Sequence, residues 1–203
     1  MNSSGWIIKD LAENYGMNSK LWRFYSKVEI DYGLISALDN FLGFYQEYRT
    51  NAFLKGLSAF INRPTLVLTC VGGDVLTTFG AIDLLAKYAE DSIFVDVEVY
   101  GQALSCGTLL ATCTTGTRRM SKNSWLMLHT VQDRYMSAES TADGVQMVPD
   151  PKVRRMRNNF KTLLRAHSKM SEETLDAILS GNGDDTYYNA TEAIALGLID
   201  EVI

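Results

Sequence analysis

Between residues 31 and 60, apolar side chains recur at three- and four-residue steps (Leu34, Ile35, Leu38, Phe41, Leu42, Tyr45), a spacing that predicts a helix. Asn62-Arg63-Pro64 breaks the pattern. Residues 65–71 (TLVLTCV) are a continuous apolar and β-branched run and predict a buried strand. Gly72-Gly73-Asp74 turns the chain, and residues 76–89 then read as an amphipathic helix. Residues 93–100 alternate as a second strand that Gly101 ends, and a small-residue apolar helix follows over 105–115. Residues 125–128 (WLML) form a third strand ending at His129. Strand and helix alternating at this spacing predict an α/β fold with a largely parallel sheet and right-handed crossovers.

The flanks are less regular. Residues 1–25 are aromatic-rich and read as an arm, with a first strand near residues 21–30. After His129 the character turns polar, and residues 132–150 read as a flexible connection or short protrusion. Pro151 opens a basic helix carrying Lys152, Arg154, Arg155, Arg157, Lys161 and Arg165. Ser171-Glu172-Glu173 starts another helix, which ends near Ser180-Gly181-Asn182-Gly183. A short helix at 191–196 and a final apolar strand close the chain, with no internal repeat and no second domain in view.

The charge balance, 19 Lys+Arg against 24 Asp+Glu in 203 residues, argues against a general nucleic-acid or anionic-membrane binder. No stretch reaches the length of about 18 apolar residues that a transmembrane helix needs. Met1-Asn2-Ser3-Ser4-Gly5-Trp6 lacks the basic and apolar regions of a secretory signal. The three cysteines, Cys70, Cys106 and Cys113, show no CxxC spacing and share the chain with only His129 and His167. They read as reduced thiols of a cytosol-like compartment and not as a zinc site.

Ligands of open α/β sheets gather beyond the carboxyl ends of the strands. Three such points carry suggestive residues: the Gly72-Gly73 pair, residues 101–107 (GQALSCG) and His129. A serine, a histidine and a carboxylate can form a nucleophile, base and orienter whatever their order, and Asp184 and Asp185 both offer the acid. Taken alone, Ser105 reads as a helix N-cap before it reads as a nucleophile, because GQALSCG is not a GxSxG elbow. His129 could equally be a half-buried structural histidine. Cys106 could be a thiolate nucleophile, although no basic neighbour in sequence activates it. The glycine pair, the Asp pair and the basic helix each have a plain reading as turns and a solvated face.

The order of these pieces resembles the proteolytic subunit of the Clp protease (ClpP). Gly72-Gly73-Asp74-Val75 resembles that family's glycine-pair segment, GQALSCG its nucleophile segment, and residues 123–129 (NSWLMLH) the strand ending in its catalytic histidine. Ala166-His167-Ser168 and residues 171–178 look like the helices after the family's handle. Residues 185–193 (DTYYNATEA) with Gly197-Leu198-Ile199-Asp200 are similar to its C-terminal signature. The resemblance runs from about Lys27 to the end.

It implies a ClpP/crotonase-like α/β fold of repeated ββα units wound as a superhelix with a protruding handle helix. The chain would be one peptidase domain over residues 1–203, with an N-terminal arm (1–25) and a handle region (about 130–168). The resemblance makes Ser105 the nucleophile, His129 the base and Asp185, not Asp184, the orienting acid. The amides of Gly73 and Cys106 become the oxyanion hole, and His167 becomes structural. It implies a serine endopeptidase with no cofactor and no metal, built as a tetradecamer of two stacked seven-membered rings. Its substrates would be unfolded polypeptides or peptides, and its partner an AAA+ unfoldase or a Clp-type co-subunit. Its place would be the cytoplasm, or the stroma for a plastid lineage.

The sequence also departs from that pattern. Thr130-Val131 follows His129 where the family usually has Gln-Pro, and no glycine-rich handle strand is recognisable in residues 132–150. Asp184 stands where an arginine commonly pairs across rings. Thr65, Val67, Arg119 and Ser121 occupy positions that usually form an apolar docking pocket for the unfoldase. Residues 1–23 do not match the family's axial loop. A non-catalytic ring subunit and a crotonase-type acyl-CoA enzyme are the rival readings, and the complete Ser-His-Asp set speaks against both.

Overall fold

The computed structural model describes residues 17–18, 22–26, 28–56, 62–131, 136–141, 144–179 and 185–203. In chain order the elements are β1 (Met17–Asn18), β2 (Arg23–Tyr25), α1 (Gly33–Leu54), β3 (Thr65–Cys70), α2 (Val75–Glu90), β4 (Asp96–Leu104) and α3 (Cys106–Thr112). They continue as β5 (Arg118–Met120), β6 (Trp125–Leu128), β7 (Met136–Thr141), β8 (Gly144–Pro149), α4 (Pro151–His167), α5 (Glu172–Leu179), β9 (Thr186–Tyr188), α6 (Ala190–Ala195) and β10 (Glu201–Val202).

Strands β2, β3, β4, β5 and β10 run parallel in that order, and β1 pairs antiparallel with β2 at one edge. Strand β4 is shared. Its first half pairs with β5 through Val97↔Arg118 to Val99↔Met120, and its second half pairs with β6 through Gln102↔Trp125 to Leu104↔Met127. β9 then lies antiparallel on β6. This is the mixed α/β, ClpP/crotonase-like architecture that the sequence leads one to expect.

Alternation along the strands divides the sheet faces. Phe24, Leu66, Leu68, Cys70, Val97, Val99, Ala103, Met120, Leu126 and Leu128 point into one continuous core with α1, α2 and α3. The other face carries Arg23, Glu98, Asp96 and Arg119, tied by the Arg23–Glu98, Arg119–Asp96 and Arg119–Glu201 ion pairs. Helix starts are capped locally: Asp74 Oδ1 accepts from Thr77 N–H at 2.7 Å, and Asn189 and Glu192 form a capping box on α6.

Two expectations are refined by the structure. Gly101 does not end the second strand. It sits at φ +75°, a bend that a glycine accommodates, and β4 runs on to Leu104 because β6 offers a new partner there. Part of residues 132–150, read as a flexible connection or a short protrusion, is a hairpin, β7 against β8 from Met136↔Pro149 to Thr141↔Gly144. Its strands, MSAEST and GVQMVP, alternate over only three or four residues each, too few to mark a strand. Strands β5 and β9, three residues each, are too short to show a period. The arm apart from residues 17–18 and 22–25, the turn at 180–183 and Asp184 lie outside the described residues.

Arg118 closes the carboxyl-terminal half. Its guanidinium donates to the carbonyls of Thr112 (3.3 Å), His167 (2.7 Å) and Gly197 (2.8 Å) and to both oxygens of Asp200 (3.0 and 2.5 Å). Cationic donors at the carbonyl ends of α3 and α4 are favourable. The same guanidinium holds the Asp200 carboxyl below the usual carboxylate range.

A carboxyl whose folded pKa is depressed adds stability above its unfolded value of about 3.9 and loses it as pH falls through the folded value. Asp200→Asn should therefore cost more stability at pH 7 than near pH 3 in urea titrations; an equal cost at both would uncouple Asp200 from the acid limb. Glu172, held at about 2 by Arg165 and Lys161, supplies a residual slope in the same window. A second expected outcome concerns Gly73, at φ +144°, where a Cβ would sit 2.2 Å from the Ile30 carbonyl oxygen. Gly73→Ala should cost at least about 3 kcal/mol. Gly56→Ala, at φ +71° with nothing within 4 Å, should cost only about 1–2 kcal/mol.

Candidate active site

The carboxyl ends of β3, β4 and β6 lie side by side, because Cys70 pairs with Ala103 and Leu104 pairs with Met127. Each strand then releases one of the expected residues: Gly72-Gly73 after β3, Ser105 after β4 and His129 after β6. Ser105 N–H donates to the Met127 carbonyl at 2.7 Å, so the turn holding the serine is stitched to the strand that ends in the histidine.

Ser105 has φ +54° and ψ −119°. For a non-glycine residue this costs about 1–3 kcal/mol and persists only where the surroundings impose it. The sharp turn passes directly into α3, whose first-turn amides, Cys106 N–H among them, have no intrahelical acceptor. The serine side chain does not cap the helix. It points to the imidazole instead: Ser105 Oγ and His129 Nε2 are 2.7 Å apart. A hydroxyl within hydrogen-bond reach of a ring nitrogen is the geometry a general base needs.

Asp185 is not in that contact. The β6–β9 register of Leu128↔Thr186 puts residue 185 next in line beside residue 129. Yet the Asp185 side chain is exposed, and the buried His129 Nδ1 has no hydrogen-bond partner among the described residues. The structure thus joins two of the three expected side chains and brings the third alongside by backbone only. Asp185 instead borders a cleft of about 620 Å³ with Glu173, Ala177, Ile178 and Tyr187.

The glycine pair packs against the serine. A Cβ on Gly72 would lie 3.0 Å from the Ser105 Cβ. Ile30 N–H donates to Gly72 O at 2.7 Å and Asp74 N–H to Ile30 O at 3.0 Å, a bridge that leaves the Gly73 N–H out of the ladder. Gly73 and Cys106 thus flank Ser105, one beside it through the packing of Gly72 and the other next in the chain. Burial pushes the thiols of Cys70 and Cys106 up, and that of Cys113 to about 12, which leaves Cys106 the wrong environment for a thiolate nucleophile.

The remaining candidates lie elsewhere. His167 ends α4, borders a cleft with Arg118 and Lys169, and has its pKa lowered by burial and then by Arg118. The basic helix spends charge within the chain: Lys161 and Arg165 pair with Glu172, and Lys161 also with Asp176. Two supports of the site have no sequence signature. Thr130 Oγ1 donates to Leu179 O at 3.0 Å, and the Arg157 guanidinium donates to Val131 O at 3.1 and 3.2 Å. Both hold the loop that follows His129, and both depend on how α4 and α5 pack.

Among the described residues no three His, Cys, Asp or Glu side chains gather where a metal could be held, and no helix is long and apolar enough to cross a membrane. Comparison with known families matches residues 58–203 to the sequence model described as Clp protease. That span takes in both glycines, the strained serine turn, the histidine strand and the β9 segment, and the chain belongs to the Clp protease family.

Proposed function

We propose that the chain is a serine endopeptidase subunit that cleaves unfolded polypeptides by acyl transfer. The observation that carries this reading is the 2.7 Å contact between Ser105 Oγ and His129 Nε2, made beside the main-chain donors of Gly73 and Cys106. Ser105 Oγ attacks the peptide carbonyl while His129 Nε2 takes its proton. The oxyanion forms against the two amides, where losing one donor costs about 100- to 1000-fold in rate. His129 then protonates the leaving amine, and water hydrolyses the acyl-enzyme with the same imidazole as base.

Asp185 completes the relay by turning onto the orphaned Nδ1, which fixes the tautomer and stabilises the imidazolium. The β6–β9 register, which sets residue 185 opposite residue 129, supports this step. The described arrangement is a resting one, and the missing contact is the natural point for assembly to act. In keeping with the family, we take the working form to be two stacked seven-membered rings enclosing the sites, fed by an AAA+ unfoldase or shared with a Clp-type co-subunit. The single peptidase domain spans residues 1–203. The chemistry uses protein groups alone, without cofactor or metal. Free, buried cysteines suit a reducing compartment such as the cytoplasm or a plastid stroma.

A second reading, a non-catalytic ring subunit, draws on the unpaired His129 Nδ1 and on the ion-paired sheet face carrying Thr65, Val67 and Arg119. Labelling with a fluorophosphonate probe separates the two. The wild-type assembly should label at Ser105 and digest unfolded casein, and Ser105→Ala should do neither. Asp185→Asn should slow labelling by about 10³- to 10⁴-fold. A wild-type assembly that neither labels nor digests casein would favour the non-catalytic subunit, and acyl-CoA turnover would favour a crotonase-type enzyme.

A further inference from the structure

Thr108 lies in the first turn of α3, fully buried. Its Oγ1 is 2.6 Å from the carbonyl oxygen of Ala103 and 2.7 Å from that of Met127, and it accepts the Met127 N–H at 3.2 Å. A hydroxyl carries one proton and two lone pairs. The proton is shared between two carbonyls on neighbouring strands, and a lone pair takes the amide. The side chain thus sits on the last rung of the β4–β6 ladder, touching both backbone groups of Met127.

That rung has a particular place. Ala103 is two residues before Ser105, and Met127 is two residues before His129. The Met127 carbonyl also receives the Ser105 N–H at 2.7 Å. Immediately beyond, β4 leaves the sheet through the positive-φ turn at Ser105, where the backbone is held against its own preference. A bond that spans the two strands at this point fixes how far apart the serine and histidine start. Misplacement by about 1 Å can cost about 100-fold in rate.

We propose that Thr108 is a positioning residue for the reaction, setting the Ser105–His129 separation through the backbone without touching substrate. The proposal rests on the reading of Ser105 and His129 as nucleophile and base. A purely space-filling role predicts that an apolar side chain of the same shape serves as well.

The test compares the assembled wild type with Thr108→Val, which keeps the shape and loses the hydroxyl, and Thr108→Ser, which keeps the hydroxyl. The readout is the second-order rate constant of fluorophosphonate labelling per folded subunit, counted by native mass measurement, from pH 6 to 9. Thr108→Val should label about 10- to 100-fold more slowly across the range. With a peptide ester, kcat should fall by the same factor while KM holds. Thr108→Ser should stay close to wild type. Folded Thr108→Val labelling at the wild-type rate would overturn the proposal, as would Thr108→Ser losing as much as Thr108→Val. Should Thr108→Val not fold, Thr108→Ala replaces it with the same expected loss. Absence of labelling in the wild type would instead remove the nucleophile assignment, and this proposal with it.

Discussion

The site depends on a fork in one strand. β4 pairs with β5 along its first half and with β6 along its second. If β4 stopped at Gly101, nothing would bring the serine turn against the histidine strand. The bend at Gly101 and the three rungs from Gln102↔Trp125 to Leu104↔Met127 convert two segments more than twenty residues apart into neighbours. Parallel pairing adds that both chains end on the same side, so their exits face one volume. Strain at Ser105 is the local cost of sending the chain sharply into α3 while the hydroxyl faces the imidazole. It is offset by the Ser105 amide bond to Met127, by the α3 turn and by the buried packing of Leu109 and Leu110.

The incomplete relay has a structural cause of its own. β6 ends in a loop held on two sides, by Thr130 to α5 and by Arg157 from α4. That loop is therefore anchored, while Asp185 immediately precedes the short strand β9 and is exposed. Under the proposed mechanism the acid, and not the base, is the group that has to move. The basic helix α4 reaches the site in the same way, through one guanidinium on a backbone carbonyl and not through its net charge.

The outward face of the sheet is laced with ion pairs. There Arg23 of β2 pairs with Glu98 of β4, and Arg119 of β5 pairs with Asp96 of β4 and Glu201 of β10, with Asp96 buried among them. Such pairs satisfy one another within the chain.

The chain itself announced its helices of three or more turns, its longer apolar strands, its glycine pair and the residue types of a serine relay, because apolar period and turn chemistry are local. The order of those motifs carried the family, and with it the choice of Asp185 over Asp184. What the chain could not announce was decided by pairing at a distance. The β4 fork and the three-residue strands β5 and β9 have no period of their own, and the β7–β8 hairpin alternates too briefly to mark a strand. Nor could composition show that Ser105 faces His129 and does not cap its helix, that Asp185 stands beside the histidine without touching it, or that Thr108 bridges two strands. Each of these is a contact between segments far apart in sequence, fixed by hydrogen-bond register and packing, and only the folded arrangement brings such atoms within reach of one another.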